Sequence, residues 1–240
     1  MTAVASLPTP PFSYAFQPIV DIARGEIYSY EALIRGAAGE PAGSVFAALG
    51  DNDLHAFDEH SRIAAVRLAA RLGIGCHLNL NLQPRSLRSS ATAISSTLEA
   101  ACDCGLTPRQ LIIEVVEGEV IDDQREFAEY ISAYRRLGLR IAIDDFGAGY
   151  SGLNLLADFQ PDIIKLDMQL VRDIGGDGPR QAIVRAVAQA CGDLGIEVVA
   201  EGVESAGEYH WFRDEGIELF QGHLFGAPGF ERLPQAHFPD

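Results

Sequence analysis

Two strand-like runs near the start of the chain, FSYAFQPIVD at 12–21 and EIYSYEALIRG at 26–36, are separated by only Ile22, Ala23, Arg24 and Gly25. A parallel crossover needs about a dozen residues or more, so this pair has to form an antiparallel hairpin. After it the pattern changes. Short apolar runs at 77–82 (HLNLNL), 111–118 (LIIEVVEG), 140–145, 163–168 (IIKLDM), 197–204 (EVVAEGVE) and 219–226 (LFQGHLFG) alternate with longer amphipathic segments. At 53–72, Leu54, Phe57, Ile63, Ala64, Leu68 and Leu72 fall near one helical face. Further helices are expected at 91–104, at 124–137 with Gly138 as its stop, from about Ser151 to before Pro161, at 179–194 with Pro179 in the first turn, and at 205–215.

Strands alternating with helices at this spacing indicate an α/β fold. Eight strands within 240 residues favour a TIM-type (β/α)8 barrel with the first strand antiparallel to the rest; an open doubly wound sheet is the alternative. The hydrophobic content of 48% supports one large core, so residues 12–240 read as a single domain. Residues 1–11, with prolines at 8, 10 and 11, read as an extended or disordered lead-in.

The stretch LRIAIDDFGAGYSG at 139–152 carries the strongest chemical signal. A buried strand ends in two adjacent carboxylates, Asp144 and Asp145, and a glycine-rich loop follows. Adjacent carboxylates repel unless a cation or a proton lies between them. The pair is therefore either a turn cap or part of a divalent metal site. Other strand ends weigh on the choice. Glu31 lies in the second strand, Asn81 ends the third, Glu114 and Glu117 lie in the fourth, Lys165 and Asp167 end the sixth, Glu201 and Glu204 follow the seventh, and Gln221 is in the eighth. Polar groups at one level on so many strands point to the catalytic face of a barrel.

Parity refines the placement, because side chains alternate faces along a strand. Lys165 and Asp167 can both point inward. If Glu114 faces in, Ile112 and Val116 do too, and Glu117 turns aside, where it can brace the next loop. Asp144 and Asp145 can share a face only if the strand twists or ends there, and Gly147 is the expected place. Carboxylates with one Asn, one Lys and no His make an oxygen-ligand site, which suits Mg²⁺ or Mn²⁺ better than zinc or copper. Such cations most often serve phosphate chemistry.

Acids outnumber bases by 34 to 18, a net charge of −16, which argues against binding a nucleic-acid polymer through a basic face. No run of 18 apolar residues is present, so no membrane insertion is expected, and the opening residues do not resemble a signal peptide. Cys102 and Cys104 are too close for a zinc pair, and the six histidines form no ligand pattern; a reduced, cytoplasmic protein with free thiols is expected.

The chain resembles the EAL-domain cyclic di-GMP phosphodiesterases. FQPIVD at 16–21, Glu31-Ala32-Leu33 within EALIRG, NLQP at 81–84, EVVE at 114–117, DDFGAGYSG at 144–152, KLD at 165–167, EGVE at 201–204 and QGHLFG at 221–226 stand in the family's order across residues 12–230. The resemblance implies metal-dependent hydrolysis of cyclic di-GMP to linear pGpG in bacterial signalling, with two Mg²⁺ or Mn²⁺ ions per site. Glu31, Asn81, Glu114 and Asp144 would ligate one ion. Asp144, Asp145 and Glu201 would hold the other, with Asp144 as the bridge. Lys165 would orient the attacking water, Glu201 would be the general base, and Asp167 and Gln221 would complete the surroundings. Glu117 would anchor the loop at 146–152, with Glu204 in a similar bracing position, and Gln17, Arg35 and Gln221 would contact substrate. A homodimer and a sensor or regulatory domain outside this chain are further implications. The chain departs from the family pattern at Gln83, Val116, Gly118, Gly152 and Ala227, none of them a proposed metal ligand. A non-catalytic cyclic di-GMP receptor and a barrel enzyme acting on another phosphate ester are the rival readings.

Overall fold

A computed structural model describes residues 10–50, 54–83, 94–117, 124–149, 156–157 and 159–239. Strands β1 (Phe12–Asp21) and β2 (Glu26–Gly36) form the expected antiparallel hairpin, joined by a turn at Gly25. Parallel strands follow in chain order: β3 (His77–Asn81), β4 (Leu111–Val116), β5 (Arg140–Phe146), β6 (Ile163–Leu166), β7 (Glu197–Ala200) and β8 (Leu219–Gln221). β8 pairs antiparallel with β1, and β1 pairs with β2, so the sheet closes into an eight-stranded α/β barrel with β1 reversed. The open sheet is thereby excluded. A short strand β9 (Gly229–Phe230) adds to the upper half of β1.

The helices pack outside. Among the described residues they include α1 (Ala42–Phe46), α2 (Leu54–Arg71), α3 (Ser95–Asp103), α4 (Gln124–Arg136), α5 (Met168–Val171), α6 (Gly178–Leu194) and α7 (Ala206–Asp214). α6 starts at the Asp177 cap with Pro179 in its first turn, and Gly195 ends it in the left-handed conformation. α7 opens with a Ser205–Glu208 capping box. Most of the lead-in, the start of the helix near Ser151, and the substitutions Gly118 and Gly152 lie outside the described residues.

Two apolar layers result. The larger lies between strands and helices. The smaller fills the barrel and consists of Ile19, Ile112, Ala142, Ile163, Val199 and Leu219. Each of these stands two residues from a polar group at the strand end: Gln17, Glu114, Asp144, Lys165, Glu201 and Gln221. On β1 the polar residue precedes its plug residue, because that strand runs the other way. The period of two thus stacks an ionisable layer directly on a dry plug. The far end of the plug is sealed by Tyr28, which donates to Glu197 at 2.6 Å, and by Arg140, which bonds both.

Several strands are shorter than their apolar runs. The last run, 219–226, is strand only to Gln221. Beyond it, Phe225 N–H and Gly226 N–H both return to the Gly222 carbonyl at 3.0 Å, and Leu224 N–H bonds Val203 O at 3.2 Å. The chain turns because Gly222 presses against the backbone after β7: a Cβ there would lie 2.0 Å from the Val203 carbonyl oxygen. Gly222→Ala is therefore expected to destabilise the protein by about 1–3 kcal/mol through overpacking. Thermal melting should show a drop of roughly 2–4 °C per kcal/mol. An unchanged melting temperature would show that this turn can move away.

Candidate active site

The polar layer converges on one lysine. Lys165, fully buried on β6, places Nζ 2.7 Å from Glu201, 2.8 Å from Glu114, 3.0 Å from Asp144 and 3.4 Å from Glu31. Burial works against its charge, but the four carboxylates outweigh that and hold its pKa well above the usual value. One ammonium cannot neutralise four carboxylates, and the shortfall falls unevenly. Burial, followed by the charge of Glu31, pushes Glu114 up to about 8. Burial likewise raises Glu201 well above the usual range. Burial would raise Asp144 too, but Lys165 overrides it and holds Asp144 low.

Asp145 is the residue that strand parity alone would turn away. Its backbone adopts φ 54°, in the left-handed region, and the β5–β6 register slips between Ile143 and Phe146. Asp tolerates this conformation better than most residues. The break brings Asp145 round to the side of Asp144 and begins two residues before Gly147, which is itself left-handed at φ 97°. Burial first, then the charge of Asp144, raises the Asp145 pKa. Two acidic groups result: Glu31 with Glu114 and Asp144, and Asp144 with Asp145 and Glu201. Within each, the candidate ligand oxygens lie within 4.8 Å of one another, and Asp144 belongs to both.

The remaining residues surround these two groups. Asn81, at the exposed end of β3, donates to Glu31 at 3.3 Å. Gln221 donates to Glu31 at 2.7 Å and to Gln17 at 3.4 Å, and Gln17 donates to the Gly226 carbonyl at 3.2 Å. Asp167 lines the same cavity, about 360 Å³, while one of its oxygens caps α5 by accepting from Gln169 N–H at 2.8 Å. Glu117 accepts from Gly147 N–H at 2.8 Å and Gly149 N–H at 3.4 Å, which ties it to the loop after Asp145. Glu204 lies at the cavity rim and pairs with Arg172, 2.9 Å between Oε1 and NH2. Arg35 is not in this cavity. It lines a neighbouring one of about 280 Å³ with Phe46, Phe57 and Asp58; Asn81 lines that wall too, as do Gln83 and Val116.

Sequence reasoning passed over three residues. Met168 and His223 line the rim of the acidic cavity. Asn79, buried inside the barrel, bonds Glu114. The alternation in HLNLNL carried that signal, since it puts Asn79 on the same face as Asn81. A larger cavity, about 580 Å³, lies at the other end of the barrel beside Tyr28 and Glu197, where Arg185 is already paired with Glu215 at 2.6 Å.

The acidic site fits divalent cations. Its donors are hard oxygens, and Glu114 Oε2 and Gln221 Oε1 are buried without a hydrogen-bond partner among the described residues. The EAL domain model matches residues 6–228. The chain belongs to the EAL domain family. BluF, the blue light- and temperature-regulated antirepressor of Escherichia coli K12, is 36% identical over 241 residues, covering 100% of this chain and 60% of BluF. The cyclic di-GMP phosphodiesterase PdeR of the same strain is 32% identical over 228 residues, covering 87% of this chain and 33% of PdeR. Among solved structures, Klebsiella pneumoniae BlrP1 in a manganese/cy-diGMP complex matches with a TM-score of 0.89 and 46% identity, covering 94% of this chain and 58% of that one. This EAL chain thus spans less than two thirds of each of these relatives.

Charge makes metal binding and pH interdependent. A carboxyl whose folded pKa is raised holds a proton that the unfolded chain releases. For Glu114 that stabilisation is complete below about pH 4.5 and is lost as pH rises through about 8. The chelated protein should therefore lose thermal stability over this window, and Mn²⁺ should restore it. The melting-temperature gap between Mn²⁺ and chelator is expected to widen from about pH 6 to about pH 8.5. A gap of constant size would remove Glu114 from the ligand set.

Proposed function

We propose that this EAL domain is a phosphodiesterase that hydrolyses cyclic di-GMP to linear pGpG. The observation that carries the reading is the pair of acidic groups sharing Asp144 at the mouth of the barrel. Glu31, Asn81, Glu114 and Asp144 would hold one cation and Asp144, Asp145 and Glu201 the second. Mg²⁺ and Mn²⁺ are the candidates, and a manganese complex of a 46% identical structure supports the choice. When bound, two such ions neutralise a phosphodiester and make an attacking water more acidic.

The chain's own groups account for the rest. Lys165 adds a fixed positive charge where negative charge develops and orients the water. Glu201 accepts the proton of that water; a carboxyl raised by burial is a stronger base than an exposed one. Asp167 shares the cavity with Asp145 and can take a hydrogen bond from the water or the leaving sugar with the oxygen not committed to α5. Gln17 and Gln221 present amides to the phosphate-ribose portion. Arg35, with Phe46 beside it, offers a base-sized recess next to Asn81. Glu117 keeps the loop after Asp145 in place, and Glu204 does the same for the loop after β7. A homodimer, a partner sensor domain outside this chain and a cytoplasmic setting complete the proposal. No described helix is long and apolar enough to cross a membrane.

A second reading is a non-catalytic cyclic di-GMP receptor that signals to a partner; the similarity to BluF, named an antirepressor, favours a regulatory role of this kind. The retained acidic set favours cleavage. Incubation with cyclic di-GMP and Mg²⁺ or Mn²⁺ is expected to yield pGpG. Glu31→Ala should reduce turnover by more than about a hundredfold, beyond the 10–100-fold typical of losing only the support of a ligand. Metal-indifferent binding without pGpG would select the receptor reading.

A further inference from the structure

Inside the barrel, the level below the acidic site is apolar on six strands: Ile19, Ile112, Ala142, Ile163, Val199 and Leu219. On β3 the same inward face carries Asn79, which is only 1% exposed. Its backbone is held between Glu31 on β2 and Ile112 on β4, so the side chain has a fixed origin. An amide in such a place is retained only where something bonds it.

That partner is Glu114. Asn79 Nδ2 donates to Glu114 Oε1 at 2.8 Å, the same oxygen that Lys165 approaches at 2.8 Å. Glu114 must be ionised to ligate a cation, and an ionised carboxylate accepts and does not donate, so in that state the amide turns its NH₂ toward Glu114. The buried Asn79 Oδ1 and Glu114 Oε2 then have no hydrogen-bond partner among the described residues. The Asn79 hydrogen bond and the Lys165 ion pair both fall on Oε1, which opposes rotation of the carboxylate and leaves Oε2 free of protein donors among the described residues. Lys165 shares its charge among four carboxylates, whereas the Asn79 donor goes to Glu114 alone among the described residues.

We infer that Asn79 is a positioning residue that sets the orientation of the Glu114 carboxylate, so that Oε2 is presented to a divalent cation. The inference rests on the proposed metal-dependent reading and assigns a determinant of metal affinity beneath the ligands themselves. Support of this kind typically contributes about 10–100-fold in affinity.

The test is Mn²⁺ titration of the full chain by calorimetry, with turnover of cyclic di-GMP measured alongside. Asn79→Leu keeps the approximate volume and removes the donor. It should raise the Mn²⁺ Kd about tenfold or more and lower kcat at limiting metal, with the KM for cyclic di-GMP little changed. In a Glu114→Gln background the same substitution should add almost nothing, because the two act as one unit. If Asn79→Leu does not fold, Asn79→Ser, whose hydroxyl is too short to reach Glu114, carries the same expectations. Unchanged Mn²⁺ affinity, or a loss of equal size in both backgrounds, would overturn the inference. Wild-type protein that binds Mn²⁺ yet makes no pGpG would overturn the phosphodiesterase reading alone, leaving Asn79 to be judged by the titration.

Discussion

Like charges held together above a dry plug govern this molecule. Glu31, Glu114, Asp144 and Glu201 all lie within 3.4 Å of one ammonium, and beneath them is a layer that is apolar on six strands. Repulsion is poorly screened in such surroundings. Lys165 relieves part of it, which is why its own proton is held so firmly and why Asp144 stays ionised while Glu114 and Glu201 resist ionisation. Further positive charge is the physical completion of this arrangement, and hard divalent cations supply it in a form that oxygen ligands accept.

Backbone irregularity converts a barrel rim into a site. Regular alternation delivers Glu114, Asp144 and Lys165 to the interior, each two residues beyond an apolar plug residue. It would send Asp145 outward. The left-handed turn at Asp145 reverses that and starts the loop that Glu117 grips through Gly147 and Gly149. Strain of this kind is held because the surrounding hydrogen bonds leave no better arrangement. The reversed β1 has its own consequence: running against its neighbours, it brings Gln17 to the rim beside Gln221 and Glu31.

Much of this was legible in the residues. The four-residue link after Asp21 forced the hairpin, and the spacing of later apolar runs set the order of strands and helices. Parity put Lys165 and Asp167 on one face and turned Glu117 aside from Glu114, but it did not place Asp145. Strand ends were read less well. Residues 222–226 continue an apolar run yet turn back on themselves, because Gly222 meets the Val203 backbone, a contact between segments that no local pattern records. Arg35 was placed with the substrate contacts on resemblance, and it lies in the recess next to the acidic cavity rather than within it. Asn79 went unnoticed because its significance depends on Glu114, 35 positions away.

The sequence by itself determined an alternating α/β fold, its antiparallel first hairpin and the inventory of carboxylates and one lysine, since these follow from alternation, spacing and residue chemistry. Only the tertiary structure decided that the sheet closes, which way Asp145 turns, and which neutral side chain steadies Glu114. Those depend on distances across strands that are remote in the chain, and charge interactions in a dry interior are set by such distances rather than by order along the polymer.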